Sequence, residues 1–256
     1  MRYPLVVANW KLNGNIKFIK TFLNNLSINI DKFVHCNIVI APPCMYLYEV
    51  NKLLKNNKLF LGAQNSDIYM YGAYTGDISL LMLKDVGVRY VIIGHSERRL
   101  FHHETNEIIA KKFFAVKQNG LIPILCIGEN EKEYNNCQTE IVCKQQIDII
   151  LQKINIDAFR DTVIAYEPVW AIGTGKTPTP KRVQLIHKCI RDYLATYDFD
   201  IANKVIIQYG GSISSKNVYD FSIQPDIDGV LVGNASLDIN EFIAIINNVI
   251  ASKKLI

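Results

Sequence analysis

The chain has 256 residues, 49% of them hydrophobic and 20% charged, with a formal net charge of +4 at pH 7. That is the balance of an ordinary folded protein with ample material for a core. The positive charge is spread without a polybasic block, which argues against nucleic acid as the main partner and favours a small anion. No apolar run approaches the ~18 residues of a membrane helix.

The N-terminal Met1-Arg2-Tyr3-Pro4 runs straight into an apolar segment with no signal-peptide layout, so a cytoplasmic location is expected. The first apolar run is Leu5–Ala8. Others follow at Asn37–Ala41, Leu59–Leu61, Tyr90–Ile93, Ile122–Ile127, Val163–Tyr166, Val205–Tyr209 and Gly229–Val232. These runs are β-branched and lack polar alternation, as in parallel strands covered on both faces. Between most of them lie segments of helical period: Ile16–Leu26, Ile108–Gln118, Thr139–Ile154, Arg182–Tyr197 and Asn240–Ile250. Shorter ones are expected at 79–86 and 214–221. Strand–helix alternation of this kind predicts an α/β chain: one closed (β/α)8 barrel domain over residues 1–256, its active site at the C-terminal ends of the strands.

Six cysteines, at 36, 44, 126, 137, 143 and 189, form no Cys-x-x-Cys pair. They are expected to be reduced and largely structural, with no zinc site.

The residues that follow the strands are unusual. Asn9-Trp10-Lys11 follows the first run and Gly94-His95-Ser96-Glu97 the fourth. Gly210-Gly211-Ser212 follows the seventh, and Gly233-Asn234 the eighth. A barrel brings all of these to one rim. Lys11 alone reads equally as a solvated lysine, and the two glycine turns as mere turns. His102 and His103 lie in a polar stretch and are expected at the surface. His95 directly ends an apolar strand and precedes a plausible helix N-cap, Ser96. A helix N-terminus disfavours imidazolium, so His95 is expected to be neutral. Glycine turns after strands seven and eight are the recurrent phosphate cradle of this architecture.

The sixth strand leads into Ala165–Thr177. Pro168 pushes Glu167 into an extended conformation, placing it as the last residue of a strand. The connection beyond it is Pro168, Val169, Trp170, Ala171, Ile172, Gly173, Thr174, Gly175 and Lys176. It is apolar, stiff at one end and glycine-rich at the other, which suits either a lid or an ordinary buried connection. Gly173–Thr177 resembles the tail of a nucleotide-binding P-loop. Trp170 stands where that motif needs glycine, and the polar Thr-Pro-Thr-Pro that follows does not continue a helix.

One carboxylate, one neutral imidazole, one lysine and a phosphate cradle suit proton abstraction α to a carbonyl in a small phosphorylated substrate. Glu167 would take the proton. His95 and Lys11 would stabilise the enediolate oxygens, and a lid would exclude water.

Over essentially its full length the chain resembles the triosephosphate isomerase family. The matching segments are Asn9–Gly14, Gly62–Asn65, Ile93–Arg99, Cys126–Glu129, Ala165–Lys176 and Tyr209–Ser212. The resemblance implies interconversion of glyceraldehyde 3-phosphate and dihydroxyacetone phosphate without cofactor or metal. It implies that Asn9 and Lys11 contact substrate and that Glu97 supports Lys11 and the proton relay. Gly173, Ser212, Gly233 and Asn234 would hold the phosphate, and Glu129 and Trp170 would position the open lid. It further implies a homodimer in which the loop Gly72–Asp77 inserts Thr75 beside the partner's active site. Two residues depart from the family pattern. Asn234 replaces a second glycine, and asparagine tolerates the left-handed region, so near-normal phosphate binding is expected. Asp77 replaces a glutamate, so a contact with Arg98 across the dimer would be longer or bridged by water.

Two other functions remain open. An aldolase or epimerase on a phosphate-binding barrel would want a mid-strand Schiff-base lysine or a metal site, and neither is found. A non-catalytic sugar-phosphate-binding or interaction protein could use the same barrel.

Overall fold

The computed structural model describes residues 2–29, 33, 35–54, 58–172 and 176–253. Its strands are β1 (Leu5–Asn9), β2 (Asn37–Ala41), β3 (Leu59–Ala63), β4 (Val88–Ile93), β5 (Ile122–Ile127), β6 (Val163–Tyr166), β7 (Ile206–Tyr209) and β8 (Gly229–Val232). Each pairs in parallel with the next in chain order. β1 also pairs with β8, and the sheet closes into a barrel.

The closed sheet explains the runs of apolar residues without alternation. Leu5, Val7, Val39, Tyr90, Ile92, Ile124, Val163 and Ala165 point inward and fill the barrel. Their neighbours Val6, Ala8, Ile38, Ile40, Val91, Ile93 and Ile164 point outward and pack beneath the helices. Both faces are dry, so neither needs polar residues.

The surrounding helices are α1 (Ile16–Ile28), α2 (Leu47–Leu53), α3 (Leu80–Asp85), α4 (Ser96–Phe101), α5 (Asn106–Gln118), α6 (Glu131–Asn135), α7 (Thr139–Lys153), α8 (Pro180–Ala195), α9 (Phe199–Lys204), α10 (Val218–Ser222) and α11 (Ile239–Lys253). Asn15 caps α1 by accepting from the Phe18 amide at 2.9 Å. The buried face of α1 places Phe22 between Trp10 and Phe242, with ring centroids 5.2 and 5.9 Å away. Burying one such aromatic side chain stabilises by roughly 1.5–3 kcal/mol.

Helix α8 starts at Pro180 rather than at the expected Arg182. Thr179 caps it, and proline at the first position gives up an amide that has no intrahelical partner there. The Thr-Pro-Thr-Pro stretch therefore starts a helix. Helices α2, α6 and α9 were not expected from the apolar period. They have 7, 5 and 6 residues, too few turns for a period to register. No cysteine forms a disulfide. No helix among the described residues is long and apolar enough to cross a membrane.

Candidate active site

Asn9 is the last residue of β1, and Lys11 lies just beyond it. Lys11 has a φ of 52°, in the left-handed region. For a lysine this costs on the order of 1–3 kcal/mol. Three hydrogen bonds impose it. The Lys11 amide donates to Asn9 Oδ1 at 3.1 Å, and its carbonyl accepts from Gln64 Nε2 at 3.0 Å. The same Gln64 nitrogen donates to the Ala41 carbonyl at 2.8 Å, tying Lys11 to the end of β2. The Lys11 ammonium is thereby aimed into the mouth of the barrel, where it donates to Glu97 Oε1 at 2.5 Å. Gly233 lies against it: a Cβ there would sit 3.3 Å from Lys11 Cε.

His95 follows β4 and is itself the N-cap of α4, so Ser96 is the first helical residue and not the expected cap. The Nδ1 atom of His95 accepts from the Glu97 amide at 3.2 Å. An accepting Nδ1 carries no proton, so the ring is neutral with its proton on Nε2. Nε2 lies 3.2 Å from Glu167 Oε1.

Glu167 stands one residue beyond β6 rather than at its end. Its amide nevertheless continues the ladder, donating to the Ile127 carbonyl at 2.7 Å. The residue is 2% exposed, and Oε2 accepts from the Ser96 amide at 2.9 Å. Two glycines make room for it. A Cβ on Gly128 would overlap the Glu167 carbonyl oxygen at 1.8 Å, and one on Gly210 would meet Glu167 Cγ at 2.9 Å.

Beneath these groups Arg99 clamps two strand ends. Its Nε donates to the Gly94 carbonyl at 2.7 Å and its NH2 to the Cys126 carbonyl at 2.9 Å. Burial lowers the pKa of Arg99, and the charge of Glu167 is among the groups that oppose this. Burial raises the Cys126 thiol well above its usual range, and the Glu167 carboxylate adds to the effect, so Cys126 is an inert neutral wall.

The connection after Glu167 starts with a 3-10 turn over Val169–Ala171. Trp170 Nε1 donates to Glu129 Oε1 at 2.8 Å, and the Tyr166 hydroxyl lies 3.1 Å from both Glu129 oxygens. Tyr134 stacks on Trp170 with ring centroids 4.2 Å apart. Burial raises the pKa of Glu129, and the hydrogen bond from Trp170 pulls it back. Gly173, expected to hold the phosphate, and Thr174 and Gly175 of the expected lid lie outside the described residues. At the far end Lys176 Nζ is 3.3 Å from Glu131.

A cavity of about 410 Å³ lies between these parts, bounded by Asn9, Lys11, His95, Glu97, Glu167, Val169, Ile172, Ser212, Gly233 and Asn234. Every predicted catalytic and phosphate residue among the described ones borders it. Asn234 differs from expectation in one respect. It lies in a 3-10 turn, Asn234–Ser236, and is not among the positive-φ residues, so its left-handed tolerance is not called upon.

A second cleft of about 560 Å³ shares Asn9, Lys11, His95 and Glu97 and extends to Gly76, Asp77 and Arg98. Thr75 is exposed beside it. Arg98 Nε is already engaged by Glu104 of the same chain at 2.5 Å. His102 and His103 are exposed, and His187 is buried in α8. Among the described residues no group of three or more His, Cys, Asp or Glu could hold a metal ion.

The sequence profile of triosephosphate isomerase matches residues 4–249. The chain belongs to the triosephosphate isomerase family. Its curated relatives include proteins of that name from Photorhabdus laumondii subsp. laumondii and Erwinia tasmaniensis. The first is 50% identical over 99% of this chain and 100% of the relative. The second is 51% identical with the same coverage. The protein of that name from Blochmanniella pennsylvanica is 51% identical over 99% of this chain and 98% of the relative.

In this family member the sequence motifs alone assign no role to Gln64 or Gly128, and they mark Gly210 only as part of a phosphate-cradling turn, not as the space beside Glu167. All three stood inside motifs that carried the resemblance. Their roles depend on contacts between strands, which a linear motif does not display.

Proposed function

We propose that this chain is a triose-phosphate isomerase that interconverts D-glyceraldehyde 3-phosphate and dihydroxyacetone phosphate through an enediolate. The observation that carries the reading is the convergence of Glu167 and the neutral, Nε2-protonated His95 at 3.2 Å beside the Lys11 ammonium. One Glu167 oxygen leaves its resting partner and takes the proton from the carbon next to the substrate carbonyl. The C–H electron pair becomes the C=C bond of the enediolate, and the carbonyl π pair moves onto oxygen. His95 Nε2–H donates to that oxygen, and Lys11 offsets the charge. Glu97 holds the ammonium in place. Asn9 supports the Lys11 backbone and faces the substrate. The protonated Glu167 then returns its proton to the neighbouring carbon, and a proton is exchanged between the two oxygens.

The exposed rim of Ser212, Gly233 and Asn234 is suited to the phosphate, and the apolar loop from Pro168 to Lys176 to covering it. Closure keeps water from the enediolate. The whole chain acts as one barrel domain.

We take the working form to be a homodimer. The cleft that joins the site to Asp77 and Arg98 is where the loop around Thr75 of a second copy would insert. Met45, Tyr48 and Met82, sequence neighbours of residues lining that cleft, are exposed apolar side chains. A cytoplasmic compartment fits six unpaired thiols.

The test is a coupled assay on Glu167→Gln, which keeps the shape, gives up one of the two accepting oxygens and cannot take the proton. We expect kcat to fall by about 10²–10⁴-fold, the usual contribution of a positioned base. Near-normal turnover would remove Glu167 from the chemistry.

A further inference from the structure

The barrel has a second mouth, at the N-terminal ends of its strands, and it holds a cavity of about 480 Å³. Arg2, Arg89, Arg160 and Lys204 border it, with one carboxylate, Asp161. These cations come from four distant parts of the chain. Arg2 precedes β1, Arg89 lies at the start of β4, Arg160 precedes β6 and Lys204 ends α9 just before β7.

Structural duty explains only the first of them. Arg2 donates from Nε to Asp228 at 2.6 Å and from its two amino groups to the carbonyls of Asn203 and Pro225. The other three are less committed. Arg160 uses Nε on Asp157 at 2.8 Å, and no further side-chain bond engages its amino groups among the described residues. Arg89 lies over the Phe60 ring at 4.6 Å and has no carboxylate within ion-pair distance among the described residues. Among the described residues Lys204 likewise has no carboxylate, and Asp161 no cation, within ion-pair distance. Arg89, Lys204 and the two amino groups of Arg160, whose charge Asp157, Asp198 and Asp200 offset in part, thus stand with Asp161 around a concavity of about 480 Å³, which falls within the roughly 300–1,000 Å³ range of small-molecule sites. Tyr3, half-exposed, and Tyr90 add ring surface to its wall.

We propose that this mouth is a binding site for a small polyanion carrying two phosphate groups, separate from the isomerase site at the opposite end of the barrel. Arg89 and Arg160 would each present paired donors to phosphate oxygens, the geometry guanidinium supplies best. Lys204 would act as a point charge at the rim.

Inorganic pyrophosphate is the probe, titrated calorimetrically at low ionic strength into Lys11→Met, a variant that weakens anion binding at the isomerase site. One equivalent should bind per chain. In the same background, Arg89→Ala/Arg160→Ala should weaken binding about tenfold or more, the loss expected when charge-assisted hydrogen bonds are removed. The exposed Lys204→Glu should weaken it without touching a strand. With Lys11 intact, Arg89→Ala/Arg160→Ala should retain its isomerase kcat/KM, which shows the barrel is folded. Absence of pyrophosphate binding in Lys11→Met overturns the proposal. So does an affinity left unchanged by both sets of substitutions.

Discussion

At the scale of single residues, the Glu167 carboxylate is held from two sides. Ser96 donates to one oxygen and His95 to the other. The side chain must exchange those partners to reach a substrate carbon, so the space around its Cγ matters. Gly210 supplies that space, because a Cβ there would stand 2.9 Å from Cγ. Gly210→Ala should therefore lower kcat by roughly 10- to 100-fold while KM changes less, since displacement of a catalytic group by an ångström or so has that scale. Steady-state kinetics on the folded variant decide it. An unchanged kcat would mean that Glu167 works from where it rests.

At the scale of elements, the resting position of the connection after β6 is set by one buried carboxylate. Glu129 receives Trp170 Nε1 and the Tyr166 hydroxyl together, and Tyr134 closes over the indole. Removing both acceptors with Glu129→Leu should release Trp170 into solvent. The chain's other tryptophan, Trp10, is 0% exposed, so fluorescence quenching by acrylamide reports on Trp170 alone. The quenching constant should rise in the variant. A value equal to the parent's would show that stacking on Tyr134 suffices.

Much of this was legible in the sequence, for a physical reason. Apolar runs enclosed by helices on one side and by a filled barrel on the other leave an unmistakable strand pattern, and all of those expected were found. The residues that end strands were legible too, because closure brings strand ends to one rim. What escaped were features fixed by approach rather than by pattern. The cap of α4 proved to be His95 itself, whose ring nitrogen does the work usually given to a hydroxyl or carboxylate. Gly128 has no period or charge to mark it, yet no side chain fits between it and the Glu167 carbonyl. Gln64 reaches across two strands to hold a lysine backbone, and no local spacing announces that.

At the scale of the whole molecule, stability should depend on pH through His187. Burial lowers its pKa from an ordinary 6.5 to about 3, and its Nδ1 is 3.0 Å from the Asp226 carbonyl. The unfolded chain binds a proton there between those values and the folded protein does not. Stability is thus complete above about 6.5 and declines as pH falls toward about 3. In His187→Gln the slope of unfolding free energy against pH across this window should be shallower than in the parent, as read from urea midpoints. Equal slopes would place the acid sensitivity in the carboxylates alone. Assembly has its own test. Asp77→Glu adds one methylene at the cleft that a second copy would fill, and it should lower the dissociation constant of the proposed dimer, measured by analytical ultracentrifugation. No shift would mean that the carboxylate does not reach the partner's Arg98.

Because every strand of the barrel runs the same way, each contributes one end to the working rim and the other to the opposite rim. Strands of 4 to 6 residues separate the two by roughly 13–20 Å of packed side chains. Groups that far apart with no shared partner usually perturb a protein independently. Free-energy losses at one rim should therefore simply add to those at the other, with no coupling term. A lineage of such chains can rewrite the chemistry at one end while the ion pairs of Arg2 and Arg191 with Asp228 at the other keep the ring shut.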